Sequence, residues 1–300
     1  MVSCGKEQYR SAPLLRNLPV RFYDFFFNLT KLLQVDFDTG SSDLFLPGPD
    51  CDDSCSGHNV YDPSDSSTSK SVGKSFKLGY GDGSSVTGSQ YDDTVKIAGL
   101  TATGQRLGAA KQYSSGFSSD SFPADGLMGM AFQQLSEFKS SPVFQTLVAQ
   151  NAVSKPVFGV TLLDSGSELN LGGVDSDAYS GSLSYTDVTE VGYWQISFDG
   201  ISVGSKSVIS GSTDGMVDTG TTLVVGDSAS IEKFYDAIPG SESAGQGMYT
   251  IPCDFDSEIK VNVAGKKFTI SPDLFNLGPA SDDDDSDCIG GFTANDDVGE

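Results

Sequence analysis

The sequence predicts an all-β protein with two related lobes and a few short helices. Short segments rich in β-branched and aromatic residues alternate with clusters of Gly, Asp and Ser, as strands do when turns join them. The 300 residues include 35 Gly and 12 Pro, a composition that favours turns and short strands over helical bundles. An Asp-Thr-Gly motif followed by two hydroxyl residues also occurs twice, at a domain-sized separation, which indicates two related lobes.

Strands are predicted from Val35 onward, and helices in two places. The clearest predicted strands are 74–80, 86–100, 157–163, 168–171 and 194–203. One helix is expected after Ser141-Pro142, where apolar residues recur at helical spacing. A second is expected to begin at Ser228 and to end before Pro239-Gly240, with its apolar residues on one face.

The charge and the apolar pattern exclude two classes of function. Acidic residues number 41 against 18 basic ones, so the formal net charge is −23. Such a surface repels nucleic-acid phosphates and anionic lipids, and it suits a protein that works in acid. No apolar run reaches the roughly 18 residues that a membrane span needs. We therefore expect neither a nucleic-acid partner nor a membrane span.

The cysteines indicate disulfides and therefore an oxidising compartment. Local pairing joins Cys51 to Cys55 and Cys253 to Cys288, and it leaves Cys4 over. A zinc site is the alternative for the first pair, since His58 completes a C-x3-C-x2-H spacing, but a fourth ligand is missing nearby. We favour disulfides and expect no metal.

The N-terminal sequence does not show the signal peptide that a protein of an oxidising compartment is expected to carry. The apolar stretch 22–33 is interrupted by Asp24, Asn28 and Lys31, and no small-residue cleavage site follows it. A secretory signal peptide is therefore not visible in this chain, although the cysteines favour a protein made for an oxidising environment.

The two Asp-Thr-Gly loops carry the candidate chemistry. Asp38 and Asp218 each follow an apolar strand, where a partly desolvated carboxylate needs hydrogen-bond donors. The next Thr can hold the loop, the Gly permits close approach, and the hydroxyl of Ser41 or Thr221 can donate to the carboxylate. If the lobes bring both Asp residues together, the pair would share one proton, activate a water and protonate a substrate carbonyl. The alternative is that each motif is only a β-turn.

With these motifs the chain resembles the pepsin-like aspartic endopeptidases, most closely the secreted fungal ones, over about 35–300. FDTGSSDLFLP at 37–47 and VDTGTTL at 217–223 resemble the first and second active-site loops of this family. YGDGS at 80–84 resembles the flap, the hairpin that closes over substrate in the family. ADGLMGM is similar to the segment that packs beneath the first loop, and GYWQI is similar to the start of the second lobe. The family is also the known example of a carboxylate pair that shares a proton.

The resemblance implies a pepsin-like double-barrel all-β fold and an endopeptidase that cleaves proteins or peptides at acid pH without a cofactor. It implies that Asp38 and Asp218 are catalytic and that Ser41, Thr39 and Thr219 support them. The residues implied in substrate binding lie in the flap and in both loops: Tyr80, Gly81, Asp82, Gly83, Gly40, Gly220, Thr221 and Thr222. We also expect a monomer that is secreted or vacuolar, and both local cysteine pairs resemble the family's disulfides.

Asp82 in the flap suggests a specificity. Fungal members that carry this Asp can cleave after Lys, so the resemblance implies a pairing between Asp82 and a Lys before the scissile bond. The alternative is that Asp82 only caps the hairpin turn, as Asp often does.

The sequence also departs from the family pattern. Residues 1–34 do not match it, so we divide the chain into this segment, a first lobe at 35–186 and a second lobe at 187–300 that ends early. Phe45 stands where pepsins usually have Trp. From these ends we expect the chain as written to be close to inactive, and a catalytically inactive peptide- or protein-binding relative is the alternative function. A glycosidase also uses two carboxylates, but it needs aromatic side chains on which sugar rings stack, and the chain has a single Trp. We therefore favour the protease over the glycosidase.

Two weaker signals have simple interpretations. The acidic run at 282–287 lacks the alternating ligands and Gly turn of a calcium loop, and we expect a solvated loop. His58 is the single histidine, and we expect it at the surface.

Overall fold

The structure is a computed structural model that describes residues 23–27, 31–163, 165–281 and 284–297. The chain divides into two compact units. The first contains the described parts of Met1–Ser182 together with Glu190–Trp194 and Met216–Gly220, and the second contains Leu183–Thr189, Gln195–Gly215 and the described parts of Thr221–Glu300. Both Asp-Thr-Gly sequences therefore belong to the first unit. The predicted lobe boundaries stay predictions, and Cys4 lies outside the described residues.

A seven-stranded sheet forms the first unit. Its strands are β1 (Tyr23–Phe27), β2 (Lys31–Asp38), β3 (Leu44–Pro47), β4 (Lys70–Gly79), β5 (Ser85–Ile97), β6 (Leu100–Tyr113) and β7 (Gly126–Gly129). Their order is β1-β2-β7-β3-β6-β5-β4, and β1 also pairs with β5. Part of segment 1–34, which the sequence analysis sets apart from the family pattern, is thus in the sheet, namely residues 23–27 and 31–34.

Smaller elements complete the first unit. A hairpin joins β8 (Phe158–Thr161) to β9 (Glu168–Leu171), and α1 spans Val143–Ala149, where the first helix is predicted. Short 3-10 helices lie at Asp53–Cys55, Pro63–Asp65, Ser115–Phe117 and Gln133–Leu135. The predicted strand 86–100 is wrong as one element, because Ala98 and Gly99 adopt φ values of 47° and 79°. Positive φ at two consecutive residues closes a tight hairpin turn between β5 and β6.

The second unit is also built from β-strands and short helices. Its strands are β10 (Gln195–Val203), β11 (Lys206–Met216), β12 (Val224–Gly226), β13 (Glu242–Gly245), β14 (Met248–Pro252), β15 (Ile259–Val263), β16 (Lys266–Ile270), β17 (Asn276–Ser281), β18 (Asp284–Gly290) and β19 (Phe292–Ala294). They form two four-stranded sheets, β11-β10-β15-β16 and β13-β14-β18-β17, and a parallel pair, β12 with β19. The helices are α2 (Ser228–Tyr235) and α3 (Pro272–Phe275). The predicted all-β fold is confirmed.

Helix α2 forms where the sequence predicts it. The carboxylate of Asp227 accepts a hydrogen bond from the backbone N–H of Ser230 and caps the first turn. Ile231, Phe234 and Tyr235 are buried on one face and join the core of the second unit. Apolar burial on this face, rather than intrinsic propensity, stabilises so short a helix.

Each unit has its own hydrophobic core. In the first unit, alternate residues of β2 point inward, so Leu33, Val35 and Phe37 are fully buried. This alternation follows from the two-residue period of a strand, and it places Asp36 on the opposite face. A second cluster around Phe45 and Phe117 lies in the same unit. Within the described residues, no helix is both long and apolar enough to cross a membrane.

Both predicted disulfides are present. Cys51 is bonded to Cys55 and Cys253 to Cys288, so neither pair offers thiolates to zinc. The imidazole of His58 is half-buried, with Nε2 at 2.9 Å from the carbonyl oxygen of Phe117, a contact that the sequence does not reveal.

Candidate active site

The first Asp-Thr-Gly loop is held from below by strand β7 and the residues after it. Strand β2 runs parallel to β7, with Asp38 opposite Gly129. The backbone N–H of Met130 donates to the carbonyl of Asp38 at 2.7 Å, and that of Ala131 donates to the carbonyl of Ser41 at 2.8 Å. A Cβ at Gly129 would overlap the backbone of residue 42, so glycine is required there. The ADGLMGM segment therefore supports this loop, as the resemblance implies.

Two threonines tie the two Asp-Thr-Gly loops to each other. Thr39 Oγ1 donates to the carbonyl of Val217 at 2.9 Å, and Thr219 Oγ1 donates to the carbonyl of Phe37 at 2.5 Å. Thr39 Oγ1 also accepts the backbone N–H of Thr219 at 2.9 Å, and Thr219 Oγ1 accepts the backbone N–H of Thr39 at 3.1 Å. This reciprocal set of four bonds fixes the loops in a nearly symmetric arrangement and brings the preceding Asp residues side by side.

The carboxyl groups of Asp38 and Asp218 lie close enough together for a side-chain hydrogen bond, which contributes to the raised pKa of Asp38. Two carboxylates only accept, so such a bond forms when the pair holds a proton. Further donors surround the pair: the N–H of Gly40 lies 2.8 Å from Asp38 Oδ1, and that of Gly220 lies 2.9 Å from Asp218 Oδ1. Ser41 Oγ donates to Asp38 Oδ2. The arrangement therefore stabilises a pair that holds one proton.

Neither glycine of the motif can be replaced without moving a carboxyl group. A Cβ at Gly40 would lie 2.5 to 2.7 Å from three atoms of the Asp218 carboxyl group. A Cβ at Gly220 would likewise overlap the carboxyl group of Asp38. Sequence reasoning expects a neighbouring backbone to approach these glycines, and the structure shows that the opposite carboxyl group does so.

The two Asp residues differ in burial. Asp38 is 5% exposed, whereas Asp218 is half-buried. Burial raises the pKa of Asp38 to about 7, and the charge of Asp218 and the bond between them add to this shift. The donors Ser41 and Gly40 act in the opposite direction. Burial therefore favours the protonated form of Asp38.

A third carboxyl group, Asp36, lies beside the pair and is not predicted from the sequence. Its Oδ1 is buried and has no hydrogen-bond partner within the described part of the chain. Burial raises the pKa of Asp36 to about 6, and the charge of Asp218 contributes in the same direction. The available signal was an acidic residue inside the apolar strand β2.

The pKa of Asp36 predicts how stability depends on pH. The folded protein binds this proton more tightly than the unfolded chain, in which the pKa is near 3.8. The corresponding stabilisation is complete below that value and is lost as the pH rises through about 6. We expect the Tm of the wild type to fall more steeply between pH 4 and 6 than the Tm of Asp36→Asn, as thermal unfolding would measure.

An exposed aspartate gives the matched control for this measurement. Asp256→Asn removes the same charge from the surface and is expected to keep the pH slope of the wild type. Equal slopes for Asp36→Asn and the wild type would show that Asp36 does not hold the proton.

The flap at 80–84 forms a tight hairpin turn. The N–H of Tyr80 donates to the carbonyl of Ser84 at 2.9 Å, and the N–H of Gly83 donates to the carbonyl of Tyr80 at 3.0 Å. Asp82 is exposed, and its carboxylate accepts the N–H of Ser84 at 2.8 Å and the hydroxyl of Ser84 at 2.7 Å. Asp82 therefore caps the turn while remaining accessible, so both interpretations of this residue are compatible.

Tyr80 connects the flap to the carboxyl pair. Its ring lies 6.3 Å from the ring of Phe45 and 5.3 Å from that of Phe117. Its hydroxyl lies within hydrogen-bonding reach of Ser41, which donates its own proton to Asp38. Burial raises the pKa of Tyr80 well above its usual value, so this hydroxyl stays protonated and can donate. Phe45, in the position of the family's Trp, is fully buried against it.

Four other predicted substrate-binding residues are exposed. Gly81 and Gly83 lie at the tip of the flap, and Thr221 and Thr222 belong to the second unit. Among the residues that the structure describes, no group of three or more His, Cys, Asp or Glu side chains is placed to hold a metal ion.

The all-β fold and the two Asp-Thr-Gly loops, which are hydrogen-bonded to each other, are typical of the aspartyl protease class. A family model described as eukaryotic aspartyl protease matches residues 29–299. The chain belongs to this family. The match begins at residue 29, so it includes the last six residues of segment 1–34, which the sequence analysis sets apart from the family.

Similar proteins come from fungi and from a mammal. The chain is 39% identical over 266 residues to an aspartic protease of Phaffia rhodozyma, an alignment that covers 86% of this chain and 64% of that protein. It is 40% identical over 269 residues to syncephapepsin of Syncephalastrum racemosum, covering 87% and 65%. It is 37% identical over 266 residues to pepsin A of Sus scrofa, covering 86% and 67%. The chain thus spans about two thirds of the length of these relatives.

Proposed function

We propose that the chain is an aspartic endopeptidase, which hydrolyses internal peptide bonds of proteins at acid pH. The observation that supports this function is the pair of Asp38 and Asp218, which the threonines of the two loops hold in place. Two carboxyl groups that share one proton can act together as base and acid. The family of the chain supports the same activity.

In the proposed reaction, a water molecule bound between the two carboxyl groups attacks the peptide carbonyl. Asp218 is the more exposed member and accepts a proton from the water, while Asp38 donates its proton to the carbonyl oxygen. The resulting tetrahedral intermediate, a geminal diol, collapses when Asp218 gives its proton to the amide nitrogen, the C–N bond breaks and one diol hydroxyl returns a proton to Asp38. Both carboxyl groups then hold one proton between them again, so the cycle needs neither a cofactor nor a covalent intermediate.

Ser41 and the flap complete the proposed site. Ser41 orients Asp38, and Thr39 and Thr219 fix the loop geometry. Substrate is proposed to contact Tyr80 and the tip of the flap, which would exclude bulk water from the reacting atoms. The remaining proposed contacts are with the two active-site loops: Gly40, Gly220, Thr221 and Thr222.

The proposed setting is an acidic compartment outside the cytosol, either secreted or vacuolar. The two disulfides support it, because such bonds persist in oxidising environments. The net charge of −23 supports work in acid, where much of it is neutralised. We propose that the protein acts there as a monomer on protein or peptide substrates.

A direct assay decides between the proposed function and the earlier expectation of a nearly inactive chain; the bonds of Thr39 and Thr219 that hold the two loops together favour activity. The chain is incubated with a denatured casein-like protein at acid pH, and the products are sequenced. We expect cuts at internal bonds that a statine-type mimic of the tetrahedral intermediate abolishes, since it occupies the position of the attacked carbonyl. Exclusively terminal cuts, or cuts that the mimic leaves unaffected, would contradict the proposal.

A specificity measurement separates the two interpretations of Asp82. We propose that its exposed carboxylate pairs with a substrate Lys before the scissile bond. Asp82→Asn keeps an oxygen that can accept the N–H of Ser84 but removes the charge. We expect its ratio of Lys to Leu cleavage to fall about tenfold, the size of a charge-assisted hydrogen bond.

Asp82→Ser serves as the second variant, because it removes both the charge and the carboxylate cap. If the pairing is right, both variants lose Lys cleavage to a similar degree. A ratio that stays unchanged in Asp82→Asn would leave Asp82 with its turn-capping role alone.

A further inference from the structure

A short stretch, residues 114–118, lies between the flap and the small disulfide loop, and we name it the support segment. On the flap side, Ser85 and Ser114 exchange two hydrogen bonds, each of 2.9 Å. Gly116 approaches Ser84 so closely that a Cβ would overlap its hydroxyl, which itself bonds to Asp82. The flap therefore rests directly on the support segment.

The disulfide loop, residues 51–58, contacts the same stretch from the other side. Ser54 Oγ accepts the backbone N–H of Tyr113 at 2.9 Å, next to the support segment. His58 Nε2 lies 2.9 Å from the carbonyl oxygen of Phe117, and its ring packs edge-to-face on Tyr113 at 5.6 Å. Because its partner is a carbonyl oxygen, Nε2 carries the proton and donates it.

The contacts of Phe117 continue to the carboxyl pair. Its ring is buried between Phe45 and Tyr80, with both centroid distances at 5.3 Å. The hydroxyl of Tyr80 lies within hydrogen-bonding reach of Ser41, and Ser41 donates to Asp38. The contacts thus run without interruption from His58 to the flap tyrosine and the active-site loop.

We infer that His58 is a positioning residue: from the disulfide loop it fixes Phe117, and Phe117 fixes Tyr80 and the flap for substrate binding. The inference rests on the proposed function, since it assigns His58 to the binding of that substrate. His58 does not touch the carboxyl pair, so it acts through the support segment alone.

The physical reason is the carbonyl group of Phe117. Without the imidazole N–H, this carbonyl loses its side-chain donor, and the backbone must move toward another donor or water. A movement of this backbone shifts the Phe117 ring relative to Tyr80 and disturbs their packing. The positions of the two carboxyl groups should change little, because the bonds of Thr39 and Thr219 hold both loops and do not pass through Tyr80. Loss of His58 should therefore weaken substrate binding much more than the chemical step.

Three variants of the disulfide loop test this inference. His58→Leu removes the donor, whereas His58→Gln places an amide N–H within reach of the same carbonyl. Ser56→Ala is the matched control, since Ser56 is an exposed residue of the same loop. KM and kcat are measured for one peptide at acid pH, and hydrogen exchange of residues 80–85 is measured without substrate.

For His58→Leu we expect KM to rise about 3- to 10-fold, the affinity equivalent of one hydrogen bond, while kcat stays within about twofold. Exchange of the amides in 80–85 should become faster. His58→Gln should restore both values, and Ser56→Ala should match the wild type. If His58→Leu does not fold, His58→Asn replaces it, because its shorter side chain does not reach the Phe117 carbonyl.

Several results would overturn the inference. One is hydrogen exchange in 80–85 that does not change in His58→Leu. Another is a fall in kcat as large as the rise in KM in every His58 variant. The third is a failure of His58→Gln to restore either KM or the exchange rate. If the wild type itself cleaves no peptide, the proposed function fails separately. The exchange comparison then still decides whether His58 holds the flap.

Discussion

Replacing either carboxyl group of the proposed catalytic pair, as Asp38→Asn or Asp218→Asn, is expected to lower kcat/KM for peptide cleavage by about 10⁴-fold. An amide can neither accept the proton of the attacking water nor act as the acid toward the carbonyl oxygen. The fold should change little, because the threonine bonds between the loops involve neither carboxyl group. Steady-state cleavage of a synthetic peptide at acid pH measures the effect, and thermal unfolding verifies the fold.

An exposed aspartate provides the control for this experiment. Asp256→Asn makes the same chemical change at the surface of the second unit and should retain full activity. Retention of cleavage in either active-site variant would exclude the proposed roles of Asp38 and Asp218.

Gly40→Ala is expected to have the next largest effect. The added methyl group would lie 2.5 to 2.7 Å from the carboxyl atoms of Asp218, well inside contact distance, so the carboxyl pair must separate. A displacement of about 1 Å at the reacting groups costs about 10²-fold in rate, and we expect at least this loss of kcat. Gly220→Ala should behave alike, because its methyl group would overlap Asp38.

Gly79→Ala is the matched control for both glycine variants. Gly79 has no heavy atom within 4 Å of the Cβ position and does not need a positive φ, so the change should leave kcat unaltered. Unaltered kcat in Gly40→Ala would mean that the pair does not depend on close approach of the loops.

Much of the fold can be predicted from local patterns. The alternation of buried and polar residues in β2, and the apolar face of α2, are properties of neighbouring residues and can be read without a structure. The turn between β5 and β6 was missed because Ala98 is not a typical turn residue. The strand pairing of residues 23–27 was also missed, since pairing depends on partners far away in the chain.

In the candidate site, too, local motifs can be predicted from the sequence, whereas contacts between distant residues cannot. The two Asp-Thr-Gly motifs are visible in the sequence because they repeat in similar contexts. The bonds that Thr39 and Thr219 make across the loops are not visible, since they depend on how the loops meet in space. The burial of Asp36 depends on the strands beside it, and the position of His58 depends on a carbonyl 59 residues away.

The pH dependence of kcat/KM for one peptide tests the central claim, a carboxyl pair that works with one shared proton. We predict that activity is maximal in acid and falls as the pH rises through about 7, because the last proton then leaves Asp38. Intrinsic fluorescence at each pH verifies that the protein is still folded. Activity that stays constant or increases between about pH 5 and about pH 8 would contradict the shared proton and the mechanism built on it.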